Sequence, residues 1–136
     1  MKDIYIFPAI FDYAEDGISV SFPDLPSCIT CGDNDEEAFY MAKDVLEGYL
    51  YLAEKDGESI PKPSSLKAIK TSQNQRLVLI EVNMKVVRYQ EDNKAIKKTI
   101  TIPRWLEELA QANKVNYSQA LQEKLKEILN VNERNN

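Results

Sequence analysis

The 136-residue chain contains no histidine. Histidine is the usual general base near neutral pH and the commonest metal ligand, so any catalytic or metal-centred reading has to manage without it. Cysteine is nearly absent: Cys28 and Cys31 stand alone. With no second pair and no histidine they cannot complete a four-ligand zinc site. They lie between a proline-rich turn and Gly32-Asp33 rather than at a helix start, which argues against a thioredoxin-like redox pair. They read as reduced structural thiols of a cytoplasmic protein. No segment approaches the roughly 18 consecutive apolar residues of a membrane span. The start, Met1-Lys2-Asp3-Ile4-Tyr5, meets Pro8 and Asp12 without the apolar core of a signal peptide. The expectations are a cytoplasmic location, no membrane partner, no metal and no cofactor.

What is present is an uneven charge. The chain carries 17 basic and 22 acidic residues, a net of −5. Up to Asp92 there are nine basic residues against seventeen acidic ones, a net of −8; from Asn93 onward there are eight against five, a net of +3. An acidic body with a basic tail points to two partners of opposite charge.

The body reads as β-structure with one helix. Tyr5 to Phe11 is strand-like, with Pro8 suggesting an edge position or a bulge. Glu15-Asp16-Gly17 is a turn. Ile18-Ser19-Val20-Ser21-Phe22 alternates with the period of a half-buried strand, which completes a hairpin. Pro23-Asp24-Leu25-Pro26 breaks the ladder, and Cys28-Ile29-Thr30-Cys31 forms a third strand ending at Gly32. Asp33 or Asp35 is suited to cap a helix whose acidic first turn complements the helix dipole. Ala38, Met41, Ala42, Val45, Leu46, Tyr49, Leu50 and Leu52-Ala53 set its apolar face, and it should end near Lys55-Asp56-Gly57. An extended loop follows over 59–65. Leu77 to Val82 is a nearly continuous apolar run, expected to be a strand buried on both faces. Gln90-Glu91-Asp92-Asn93 reads as a linker. The fold class is therefore α+β: a βββαβ domain over 1–92 and a βαα module over 93–136.

The tail has the clearest pattern. Thr99-Ile100-Thr101-Ile102 alternates as a strand. Pro103 suits the first position of a helix carrying Trp105, Leu106 and Leu109. After a turn at 113–116, Asn116 or Ser118 caps a second helix with Leu121, Leu125, Ile128 and Leu129 on one face. Some forty residues of strand, helix and helix cannot bury a core alone, so the module calls for a second copy. Two such strands would pair antiparallel, placing Ile100 and Ile102 in a shared core with Trp105, Leu106, Leu109, Leu121 and Leu125. Lys97, Thr99 and Thr101 would then face outward on a ribbon that fits the DNA major groove. Asn116, Tyr117 and Ser118 at the second helix start would offer backbone N–H groups to a phosphate. This is a ribbon-helix-helix arrangement; a plain dimerisation module is the alternative.

Asp12, Asp16, Asp24 and Asp33 could be read as metal-binding carboxylates of a nuclease. Each lies at or beside an expected strand end, where aspartate is common turn chemistry, and that reading is preferred. No catalytic residue is assigned.

The order of these blocks resembles the HicB antitoxin family. Gly17-Ile18-Ser19-Val20-Ser21-Phe22-Pro23-Asp24-Leu25-Pro26 is similar to its strand-and-turn signature. Cys28 to Asp33, then Glu36-Glu37-Ala38, resemble its next block, and Ile60-Pro61-Lys62-Pro63-Ser64 its loop. Lys98 to Leu106 and Asn116 to Gln122 resemble the ribbon-helix-helix of one branch. Ser27 stands where a glycine is common, and Tyr117 where a phenylalanine is common. The resemblance implies a partial RNase H-like N-terminal domain that binds a small basic HicA toxin, an mRNA interferase with a catalytic histidine. It also implies a homodimer that represses its own operon by binding operator DNA, and it leaves open dimer or tetramer. A stand-alone DNA-binding regulator is the alternative.

Overall fold

The computed structural model describes residues 2–131. The chain divides into two compact units, Met1–Ala95 and Ile96–Asn136. Within the tail module expected over 93–136, residues 132–136 lie outside the described residues.

The first unit runs β1 (Ile4–Ala14), β2 (Gly17–Phe22), β3 (Leu25–Gly32), α1 (Asp35–Lys55), β4 (Gln75–Asn83) and α2 (Met84–Asp92), with a single 3-10 turn at Leu66–Ala68. The strands form one antiparallel sheet in the order β3-β2-β1-β4. Alternation along the strands sends Phe7, Ala9, Phe11, Ile18, Val20, Phe22, Ile80 and Val82 into the core, where they meet Ala38, Ala42, Leu46 and Leu50 of α1. These helix residues recur every four positions, and the three small alanines among the core residues of α1 let its backbone approach the sheet. At Gly32 a Cβ would stand 2.5 Å from the backbone nitrogen of Ala38. Only glycine permits that junction between β3 and α1.

Several sequence expectations need correction. The cap of α1 is Asn34, whose side chain accepts from the Glu37 N–H at 2.9 Å, rather than Asp33 or Asp35. Pro8 lies in a central strand, not an edge strand. The β1–β2 register ends at Ile10↔Ser21, so at Pro8 only β4 lies alongside, through Leu79, and the missing N–H costs no bond to β2. The Pro23-Asp24 segment is a tight turn, and β3 already begins at Leu25, with a register shift at Ser21/Phe22 absorbing the irregularity. The apolar run Leu77–Val82 is not buried on both faces. β4 pairs only with β1, and Leu79 remains 52% exposed while Ile80 and Val82 are buried. Finally, 90–92 is the last turn of α2 rather than linker.

The second unit contains α3 (Arg104–Ala112) and α4 (Tyr117–Leu129). Pro103 stands one position before α3, as its N-cap residue. The preceding stretch 94–103, expected to hold a strand, forms no ladder in the single chain. A lone strand has no partner for its main-chain groups, so periodicity alone cannot make it a strand until another chain lies alongside.

Candidate functional site

In the second unit the residues expected to contact DNA are all exposed. Lys97, Thr99 and Thr101 alternate along the extended stretch with Ile100, also exposed, and Ile102, half-buried. Asn116 caps α4 by accepting from the Gln119 N–H at 3.1 Å. Tyr117 and Ser118 follow in its first turn, where the dipole is positive. The Ser118 hydroxyl accepts from the Gln122 amide at 3.0 Å, and the Tyr117 hydroxyl donates to the Glu107 carbonyl at 3.4 Å, joining α4 to α3. The chain thus gathers Asn116, Tyr117 and Ser118 at one helix end. It does not by itself assemble Lys97, Thr99 and Thr101 into a ribbon.

Neither α3 nor α4 has a buried residue. The positions expected to form a dimer core lie open: Trp105 is 63% exposed, with Ile100, Leu106, Leu109, Leu121 and Leu125 also exposed. Six large apolar side chains are thus left open to solvent on a short segment.

In the first unit, Asp12, Asp16 and Asp33 of the nuclease alternative lie towards one end of the sheet, where Ser19 pairs with both Asp12 and Cys31 and Ile18 pairs with Gly32, while Asp24 lies at the other end of β2. Asp16 precedes β2 and Asp24 follows it, about 20 Å away along a six-residue strand. The Asp24 carboxylate accepts from the Ser64 backbone N–H at 2.9 Å and from its hydroxyl, tying the long loop to the β2–β3 turn. Asp12 accepts from the Gln75 amide at 3.1 Å. Among the described residues no group of three or more His, Cys, Asp or Glu is placed to hold a metal ion.

Two features of this unit had no signal in the sequence reading. Arg88 on α2 donates to both Glu54 oxygens, at 2.5 and 2.9 Å, to Asp3 at 2.8 Å and to the Lys2 carbonyl at 2.8 Å. It clamps α2 to the end of α1 and the start of β1. Its hydrogen bond holds the Asp3 carboxyl below its usual range, and Glu54 and Asp3 in turn raise the guanidinium's own pKa. The second is a groove beside β4 at the start of α1, where the Tyr13 hydroxyl donates to Asp35 at 2.6 Å and so has its pKa raised. Neither could be read from spacing, because both join residues distant in sequence.

An antiparallel sheet with one long helix and a separate helical pair defines an α+β protein with two units. The family model described as HicB-like antitoxin of bacterial toxin-antitoxin systems matches residues 7–124. The chain belongs to that family. It is 41% identical over 59 residues to the Antitoxin HicB 2 of Photorhabdus laumondii, a stretch covering 43% of this chain and 42% of that relative. The match therefore spans less than half the length of that curated relative. Among solved structures, the chain resembles one in a toxin-antitoxin complex from Streptococcus pneumoniae, with 23% identity over 91% of this chain and 98% of that one and a TM-score of 0.60. It also resembles the Burkholderia pseudomallei antitoxin HicB, with 20% identity over 92% and 98% of the two chains and a TM-score of 0.52. Both likenesses concern the fold. Among the described residues no helix is long and apolar enough to cross a membrane.

Proposed function

We propose that this chain neutralises a HicA-type mRNA interferase with its acidic unit, residues 1–92, and represses its own operon as a dimer through the basic unit, residues 93–136. Membership of the antitoxin family across residues 7–124 is the observation that carries the reading. The toxin is held by contact and charge: the acidic unit attracts a basic protein and covers its RNA-binding surface, and no catalytic step is required. Its βββαβ order is read as a partial RNase H-like fold.

The exposed apolar faces of α3 and α4 support the second half of the proposal. Two copies would bury Trp105, Leu109, Leu121 and Leu125 together and pair their 98–102 segments into an antiparallel ribbon. This is the ribbon-helix-helix, with Lys97, Thr99 and Thr101 in the major groove and the start of α4 against a phosphate. Both activities belong in the cytoplasm, where the mRNA and the operator are.

Co-expression with a HicA-type toxin, taken from a small basic reading frame beside this chain's own where there is one, tests the proposal. The expected result is relief of that protein's growth arrest, co-purification of the pair, and retarded migration of DNA from upstream of the two genes. Retarded DNA without toxicity or a complex would instead make the chain a stand-alone regulator.

A further inference from the structure

A groove of 440 Å³ opens where β4, an edge strand, runs beside the first turns of α1. Its lining includes Tyr13, Phe39, Tyr40 and Val78 together with the carboxylates of Asp35 and Glu36. The aromatic rings are presented to solvent rather than packed away. Phe39 is exposed, Tyr40 is 61% exposed, and their rings meet edge to face at 5.6 Å with 78° between planes. On a helix the core side recurs every three to four positions, and in this turn it is filled by Ala38 and Ala42. Phe39 and Tyr40 therefore lie outside the buried core and leave an aromatic patch on the surface, the kind of patch that marks an interaction site. The Tyr13 hydroxyl fixes the Asp35 carboxylate in the wall. No lysine or arginine lines this groove. Arg76 lies in the adjoining depression, and its guanidinium is turned to the carbonyls of Gln73 and Gln75.

Aromatic faces with two carboxylates form a cation-selective surface. A ring face attracts an ammonium or guanidinium, and a carboxylate completes it with a charge-assisted hydrogen bond. The same carboxylates repel phosphate, which disfavours RNA or DNA here. The unit around the groove is acidic overall, at −8 up to Asp92, so its field steers basic chains towards it. We propose that this groove is where the toxin docks, receiving a lysine or arginine side chain from a basic segment of that protein between Tyr40, Phe39 and the Asp35–Glu36 carboxylates. The inference rests on the antitoxin reading above and assigns it a place.

The test measures affinity between the full-length chain and the product of the neighbouring small basic reading frame, by calorimetry at two salt concentrations. Tyr40→Ala and Glu36→Gln are each expected to weaken binding by about three- to tenfold, and the pair by about ten- to a hundredfold. Tyr40→Phe, which keeps the ring, should bind as the parent does. Ile29→Ala, exposed on the opposite face of the sheet, should also leave binding unchanged. Glu36→Gln should lessen the salt dependence. Thermal melts matching the parent's establish that each variant is folded. A double variant that is folded and binds within twofold of the parent overturns the groove alone. A parent chain that does not bind at all overturns the antitoxin reading, and the groove with it.

Discussion

Cys28 and Cys31 sit three positions apart on β3, yet alternation sends the first inward and the second outward. Burial pushes the Cys28 thiol up to about 11, and only thiolate attacks disulfides. At pH 8 about one Cys28 in a thousand is ionised on that basis. Titration of the native protein with a disulfide reagent at pH 8 should therefore show one rapid thiol, Cys31, and a second released only by denaturant. Two rapid thiols would mean that β3 does not hold Cys28 in the core. At this scale the sequence was readable wherever a residue's role depended on its neighbours. It offered Asn116 or Ser118 as the cap of α4, and the cap is Asn116; it took both cysteines as structural, and of the two only Cys28 is buried. It misplaced the α1 cap because Asp33, Asn34 and Asp35 are all competent oxygen acceptors. Backbone geometry, rather than residue type, selects Asn34.

The strand-turn-strand-strand-helix-strand order was legible because period-2 alternation and helical spacing are local signals. Which face of β4 is covered was not. A run such as Leu77–Ile80 looks the same in a buried strand and in an edge strand whose outer face waits for a partner. The role of α2 was hidden for a different reason. Its nine residues carry no cap signal stronger than Asn83, and its position depends on the Arg88 contacts with Asp3 and Glu54. Arg88→Ala should cost about 2 kcal/mol at pH 7, since it leaves a largely buried Glu54 side chain without its cation. Asp3 gives part of this loss a pH signature. Its folded-state pKa lies below the ordinary 3.8, so its contribution is present above that value and disappears as pH falls through the lower folded value. Urea unfolding of parent and variant at pH 7 and pH 3 should show the gap narrowing in acid. A gap unchanged at pH 3 would mean that the Arg88–Asp3 bond contributes nothing. In the tail, the strand proposed around Ile100 would be a property of two chains, and its test is on DNA. Thr99→Ala with Thr101→Ala should lower operator preference, each lost base contact costing about 1–3 kcal/mol. Gel-shift titrations that find unchanged preference would refute the ribbon.

As a whole, the molecule combines a unit with a continuous apolar core and a unit that has none among its described residues, and the charge divides in nearly the same place. The first has the core to be stable by itself; in the proposed dimer the second would be completed by association. That contrast was visible in the sequence as an acidic body and a short basic tail, while the clustering of Tyr13, Asp35 and Tyr40 appeared only once β4 was set beside α1. In the proposed function each unit has one partner. The most direct measurement is made on a chain ending at Ala95, co-expressed with the neighbouring toxin and then tested on operator DNA. The expected result is a folded fragment that still rescues growth and co-purifies with the toxin, but no longer retards DNA. A fragment that is folded by circular dichroism yet fails to rescue growth, or one that still binds the operator, would contradict the assignment.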